Sequence, residues 1–175
     1  RPDTKLPTRE ALLAVFDAVA ARNITPYADV VADVPLIESP PTPGRIVGES
    51  PVAGLENATL LELSNGAKVY LMPTTFKDDQ VLMSAYSPGG LSLVSDDDYM
   101  SGSFAPQLVM LSGLGGLDAI QLGKAMAGKA VRVNASDGEF SEGISGTASP
   151  QDLEVLFQQT YLHFTAPRND SAAYE

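Results

Sequence analysis

One histidine and no cysteine set the chemical limits of this 175-residue chain. His163 sits beside Phe164, late in an apolar-patterned segment, where a packed or surface histidine is the ordinary reading. Without cysteine there is no thiolate nucleophile, no disulfide, and no cysteine-ligated zinc or iron–sulfur site. No nucleophile-elbow pattern occurs. Gly113-Leu114-Gly115-Gly116 matches a phosphate loop only loosely. No lysine follows at P-loop spacing and no G-x-G-x-x-G is present there, so it reads as a helix–helix turn. The acidic run Asp96-Asp97-Asp98 could touch calcium. It lacks the spaced oxygen ligands and closing glutamate of an EF-hand loop, and acids ahead of a helix suit its dipole. By themselves, then, these residues define no catalytic centre.

Charge narrows the partners. With 22 acidic and 11 basic residues the net charge is −11, a field that repels nucleic acid and anionic membrane surfaces. A hydrophobic fraction of 44% is enough for a core, and the length suits one domain, or one domain with an appendage. No run approaches the roughly 20 apolar residues of a membrane span. Arg1-Pro2-Asp3-Thr4-Lys5 leads into no apolar stretch of secretory type. A removed signal and a fragment of a longer chain both fit that beginning.

The elements that would position side chains fall into three stretches. Residues 1–34 hold a helix, capped by Thr8 and running from Arg9 to about Arg22, with Leu12, Leu13, Val15, Phe16 and Val19 as its apolar stripe. Residues 35–54 carry Pro35, Pro40, Pro41, Pro43, Gly44, Gly48, Pro51 and Gly54, which predicts an extended connector without regular structure. Residues 55–175 form the compact domain. Thr59–Leu63 and Ala67–Met72 read as a hairpin about Ser64-Asn65-Gly66, with Asn-Gly supplying positive φ angles. Gln80–Ser87 is a third strand. A helix capped by Ser103 places Pro106 in its first turn and ends at Gly113. A second runs from about Asp118 to Ala127. Strands Lys129–Ala135 and Glu139–Thr147 flank an Asp137-Gly138 turn. The last helix has Ser149 as cap, Pro150 at its first position and Asp152 three residues after the cap. The order is βββααββα, an α+β fold with largely antiparallel pairing. Asn169-Asp170-Ser171 looks ready to cap another helix just before Glu175, which points to a truncated C-terminus.

Two passages carry a family resemblance. Leu63 to Gly90, LSNGAKVYLMPTTFKDDQVLMSAYSPGG, resembles the opening of an insulinase-type (pitrilysin, M16) metallopeptidase repeat, and Gly146 to Arg168, GTASPQDLEVLFQQTYLHFTAPR, resembles its later strand-to-helix passage. The resemblance spans about residues 59 to 175 and implies that family's antiparallel sheet packed by helices, the LuxS/M16 metallopeptidase-like fold. An active repeat places His-x-x-Glu-His on the helix after the third strand, where two histidines bind zinc and the glutamate activates water. Aligned on Gly113, the corresponding positions hold Phe104, Gln107 and Leu108. Phenylalanine and leucine offer no lone pair, an amide is no general base, and one histidine cannot supply two. The former site is then expected to be a hydrophobic contact, with Phe104 and Leu108 one turn apart and both largely buried. The resemblance therefore implies a degenerate, non-catalytic repeat of a longer two-half bacterial zinc metalloendopeptidase. Residues 1–34 would be the end of the preceding repeat and 35–54 the hinge. Zinc would belong to the catalytic repeat of the parent, not to this segment. The implied partners are that catalytic half and a peptide substrate, with no nucleic acid and no membrane span, and the implied compartment is periplasmic. A structural or assembly subunit without peptidase activity is the rival reading; an unrelated acidic binding domain is a weaker third.

Overall fold

A computed structural model describes residues 6–25 and 35–173. Parts of the expected helical segment 1–34, namely 1–5 and 26–34, lie outside the described residues, as do 174–175. The chain divides into two compact units, Arg1–Val30 and Val31–Glu175.

In the first unit, α1 (Arg9–Ala20) begins as its sequence predicts, with Ala11 N–H donating to Thr8 Oγ1 at 3.2 Å. Leu12, Leu13, Val15, Phe16 and Val19 are all exposed.

The second unit contains two three-stranded antiparallel sheets. The first runs in the order β1 (Ile46–Pro51), β2 (Thr59–Leu63), β3 (Lys68–Leu71). β1 corrects the expectation of an irregular connector over 35–54. Its residues pair with β2 from Ile46↔Leu63 to Pro51↔Thr59, and a register shift between Ile46 and Gly48 absorbs an irregularity. The breakers are tolerated because β1 is an edge strand, where a glycine can sit at a bulge and a proline at the strand end without breaking a central ladder. The β2–β3 turn lies where Asn65-Gly66 places it, with a different geometry. Gly66 has φ +86, and among the described residues Asn57 is the non-glycine residue with positive φ, so Asn65 keeps a negative one. Gly66 N–H donates to Leu63 O and Leu63 N–H to Ala67 O. This is a three-residue loop, a tight turn followed by a left-handed glycine, in place of the two-residue Asn-Gly turn.

The second sheet has the order β4 (Val81–Pro88), β6 (Ser141–Ala148), β5 (Val131–Asp137). Its central strand comes last in sequence. Helices α2 (Tyr99–Ser112) and α4 (Leu153–Thr165) lie against it, and α3 (Ala119–Ala125) lies beside α2. The class is α+β as expected, with one more strand than the predicted order. The α3 cap is a capping box, Asp118 Oδ1 accepting from Gln121 N–H at 2.8 Å and Gln121 Oε1 from Asp118 N–H at 3.0 Å. The expected cap after Asn169-Asp170 opens a single 3-10 turn, Ser171–Ala173.

α2 departs from its prediction. It begins at Tyr99, four residues before Ser103, and holds Pro106 in its interior. An interior proline removes one helical hydrogen bond, at about 3 kcal/mol. Packing offsets that cost. A Cβ at Gly102 would lie 3.4 Å from both Leu91 and Val94, so the helix is pressed onto the 3-10 turn Gly90–Leu93 through a residue with no side chain.

The start of α4 ties sheet to helix. Ser149 Oγ accepts from Asp152 N–H, and Pro150 opens a 3-10 turn, Pro150–Asp152, that leads into the helix. Asp152 Oδ2 accepts from Ser149 Oγ at 2.7 Å and from Ala130 N–H, just ahead of β5, at 2.9 Å. The Ser149 bond, then the Ala130 bond, holds the Asp152 carboxyl below its ordinary value of 3.8. A depressed carboxyl favours the folded state while ionised, so this contribution is present above that ordinary value and is lost as pH falls from it through the lowered one.

Leu156, fully buried, forms the contact at the centre of the unit. It rests on β6 where Gly146 leaves room: a Cβ there would stand 3.1 Å from Leu156 Cδ1 and 3.2 Å from Met83 Cε. Leu156→Ala should lower unfolding free energy by about 2–5 kcal/mol in chemical denaturation, and Ser149→Ala by about 1 kcal/mol through the lost cap.

Candidate functional site

The β4-β6-β5 sheet places residues in rows across its three strands. Ala85, Ile144 and Ala135 stand side by side in one row, and Ser87, Glu142 and Asp137 in the next toward the hairpin end. Two residues further the other way the row is Met83, Gly146 and Val133, on which Leu156 sits. Alternation puts all three rows on one face. Along β5 that face is consistently less exposed than the other.

At the Leu156 end the face is closed. At the other end small side chains leave a cavity of about 320 Å³. Ala85, Ala135 and Ile144 form part of its apolar wall, α2 contributes Ala105, Pro106 and Val109, and α4 contributes His163 and Phe164. Asp137 and Glu142 line it from the hairpin end.

Asp137 and Glu142 are direct cross-strand partners on β5 and β6. Side chains so placed have Cβ atoms about 4.5–5.5 Å apart, and like charges there repel. Asp137 Oδ1 is buried and has no hydrogen-bond partner among the described residues. Among the described residues no lysine or arginine lines the cavity. Sequence reasoning missed this pair because Asp137-Gly138 was expected to be the turn, with β5 ending at Ala135. The strand runs on to Asp137, and the loop is 138–140, closed by Gly138 N–H donating to Ser141 O at 2.8 Å. Ending the first strand two residues later than expected and starting the second two residues later sets Asp137 opposite Glu142.

His163 is half-buried, and its burial pushes the imidazole below its ordinary value of 6.5. The histidine read as packed or surface therefore stands at a cavity wall.

The three positions assigned to a degenerate zinc motif lie on α2 but are not brought together at this cavity. Phe104 is 57% exposed, which corrects the expectation that Phe104 and Leu108 share a buried apolar contact. Leu108 is half-buried and Gln107 exposed. The reason is helical phase. The stripe turned inward runs through Gly102, Pro106, Val109 and Ser112, and Phe104 lies off it. Neither phenylalanine nor leucine has a donor atom for a metal. Among the described residues no group of three or more histidine, aspartate and glutamate side chains is placed to hold a metal ion. These residues do not fit a zinc site. Gly113-Leu114-Gly115-Gly116 follows α2 directly as the α2–α3 turn, with Leu114 bridging to Leu117 and to Pro167. Asp98 stands just ahead of α2 without a capping side-chain bond to it and accepts from Ser95 Oγ at 2.7 Å, so the acidic run is a pre-helix turn.

The fold is shared with two solved proteases, and part of the sequence is similar to a zinc protease. No family model matches it. Over 84 residues, 47% of the chain, it is 39% identical to a zinc protease PQQL-like protein of Arabidopsis thaliana, of which it spans 8%. Among solved structures it is similar to the periplasmic protease PqqL from Escherichia coli, with TM-score 0.76 and 22% identity over 96% of the chain. It is also similar to the ferredoxin protease FusC, solved with Arabidopsis ferredoxin, with TM-score 0.70 and 21% identity over 95% of the chain. It spans 18% of each of those two chains. Among the described residues no helix is long and apolar enough to cross a membrane.

The depressed imidazole gives a signed expectation. A histidine kept neutral by folding binds its proton more readily when unfolded, so stability falls as pH drops below 6.5. Between about pH 7.5 and about pH 5 the melting temperature of His163→Gln should fall less than that of the unaltered protein. Parallel melting curves would assign the loss to other groups.

Proposed function

We propose that this chain is a non-catalytic segment of a longer zinc metalloendopeptidase, where it forms part of the wall that encloses peptide for a catalytic repeat elsewhere in the parent. The observation that carries this reading is the pairing of a peptidase fold, similar to PqqL over 96% of the chain, with a helix whose assigned motif positions hold Phe104, Gln107 and Leu108. A fold similar to that of two proteases supports a peptide-enclosing role; the groups at the motif positions are of the wrong chemistry to bind zinc and activate water. The chain's small share of its relatives leaves ample length for a catalytic repeat. By the same reading, residues 1–34 end a preceding repeat, residues 35–54 join it to the domain at 55–175, the partner is the catalytic half, zinc belongs to that half, and the compartment is the periplasm, as for PqqL.

The test is to read the surrounding gene for His-x-x-Glu-His, then to assay the full-length product beside this chain on fluorogenic peptides. The expected result is cleavage by the full-length protein that a zinc chelator abolishes, and none by the 175-residue chain with or without zinc. The triple substitution Phe104→His, Gln107→Glu and Leu108→His should leave the chain inactive, because a third protein ligand is still missing. Chelator-sensitive cleavage by the purified chain would overturn the reading. A full-length product with no motif and no activity would support an assembly subunit instead.

A further inference from the structure

The cavity beside β4, β5 and β6 combines features that the enclosing role does not use. Its inner walls are apolar: Ala85, Ala135 and Ile144 from the sheet, Val109 from α2. Its acidic residues are Asp137 and Glu142, held opposite each other by strand register, with Ser87, Ser136 and His163 as further polar lining. Two facing carboxylates repel, and one Asp137 oxygen lies buried without a hydrogen-bond partner among the described residues. Leaving a buried acceptor unsatisfied is costly. A folded chain can relieve both costs by admitting a cation between the two groups. Among the described residues no lysine or arginine side chain lines the cavity to do so.

From this arrangement we infer that the cavity is a subsite for a basic side chain of a bound peptide, its methylene stem against the apolar wall and its cationic head between Asp137 and Glu142. The cavity volume, about 320 Å³, suits a single long side chain. Lysine and arginine are built this way, an apolar stem under a charged head. A bare metal ion would leave the apolar wall unused, and an aliphatic side chain would leave the carboxylates unrelieved. The chain's net charge of −11 favours the approach of a basic peptide. This inference rests on the reading that the domain meets peptide, but it concerns a site that can be probed without any cleavage.

Nα-acetyl-lysine amide and its analogue lacking the ε-ammonium group, Nα-acetyl-norleucine amide, can be titrated into the 15N-labelled chain. The lysine compound should shift the amides of Asp137, Gly143 and His163 saturably and bind at least about tenfold more tightly than the norleucine compound. Raising NaCl to about 0.5 M should weaken the lysine compound selectively. The double substitution Asp137→Asn with Glu142→Gln should abolish the preference without lowering the melting temperature, since it removes a like-charge pair. Should that variant fold poorly, Glu142→Gln alone, at an exposed residue, serves the same purpose. Equal affinity for the two compounds, or no saturable shift at these residues, overturns the subsite. Loss of the subsite alongside chelator-sensitive cleavage by the full-length protein would refute this inference and leave the enclosing role intact. Lysine-selective binding by a chain whose parent cleaves nothing would do the reverse.

Discussion

The seating of Leu156 on Gly146 is the contact on which the second unit depends. β6 is the central strand of its sheet, hydrogen-bonded on both sides, so whatever packs on β6 fixes β4 and β5 as well. α4 can approach closely only where β6 lacks a side chain, and a single methyl at position 146 would already crowd Leu156, Met83 and a backbone carbonyl. Ile144 and Ala148, two residues to either side on the same face, are both buried and extend the seat. The helix is also held at its start, where Asp152 reaches the backbone just ahead of β5. One helix is thereby fixed to two strands by two different kinds of force, apolar packing along its length and charge-assisted hydrogen bonds at its N-terminus.

That arrangement explains why the sheet is closed at one end and open at the other. Near Gly146 the large Leu156 fills the space above a residue with no side chain. Near Ile144 the neighbours in the row are two alanines, and α2 presents alanine, proline and valine, so the volume is left empty. The open end is also where the carboxylates stand. It therefore follows from side-chain size along three strands rather than from any loop.

Local chemistry was the readable part of the sequence. Thr8, Asp118 and Ser149 each accept from a backbone N–H at the start of a helical segment, because a cap depends on the three or four residues that follow it. The elements misjudged were those where tertiary contact overrides a local rule. Pro106 was expected in a first turn, yet α2 gains enough from Gly102 pressed against Leu91 and Val94 to carry a proline in its interior. Gly44, Gly48 and Pro51 suggested a loose connector, yet β2 offers Ile46–Pro51 an edge to pair with. Phe104 was expected inside because a family pattern was laid over the helix, while the inward stripe is set by the sheet that α2 faces. The candidate cavity was the least legible feature. His163 could be singled out by type, but Asp137 and Glu142 become neighbours only through a register that the misplaced turn concealed.

Gly146 and Leu156 occupy what is in effect one shared volume, and this gives the pair a history as well as a geometry. A methyl gained at 146 must be matched by bulk lost at 156 or by displacement of the helix, so the two positions can drift only as a couple. Among descendants of a common ancestor they would leave a correlated trace in sequence, a small residue on the strand matched to a large one on the helix. Such a trace would record where helix and sheet meet even after overall identity had faded.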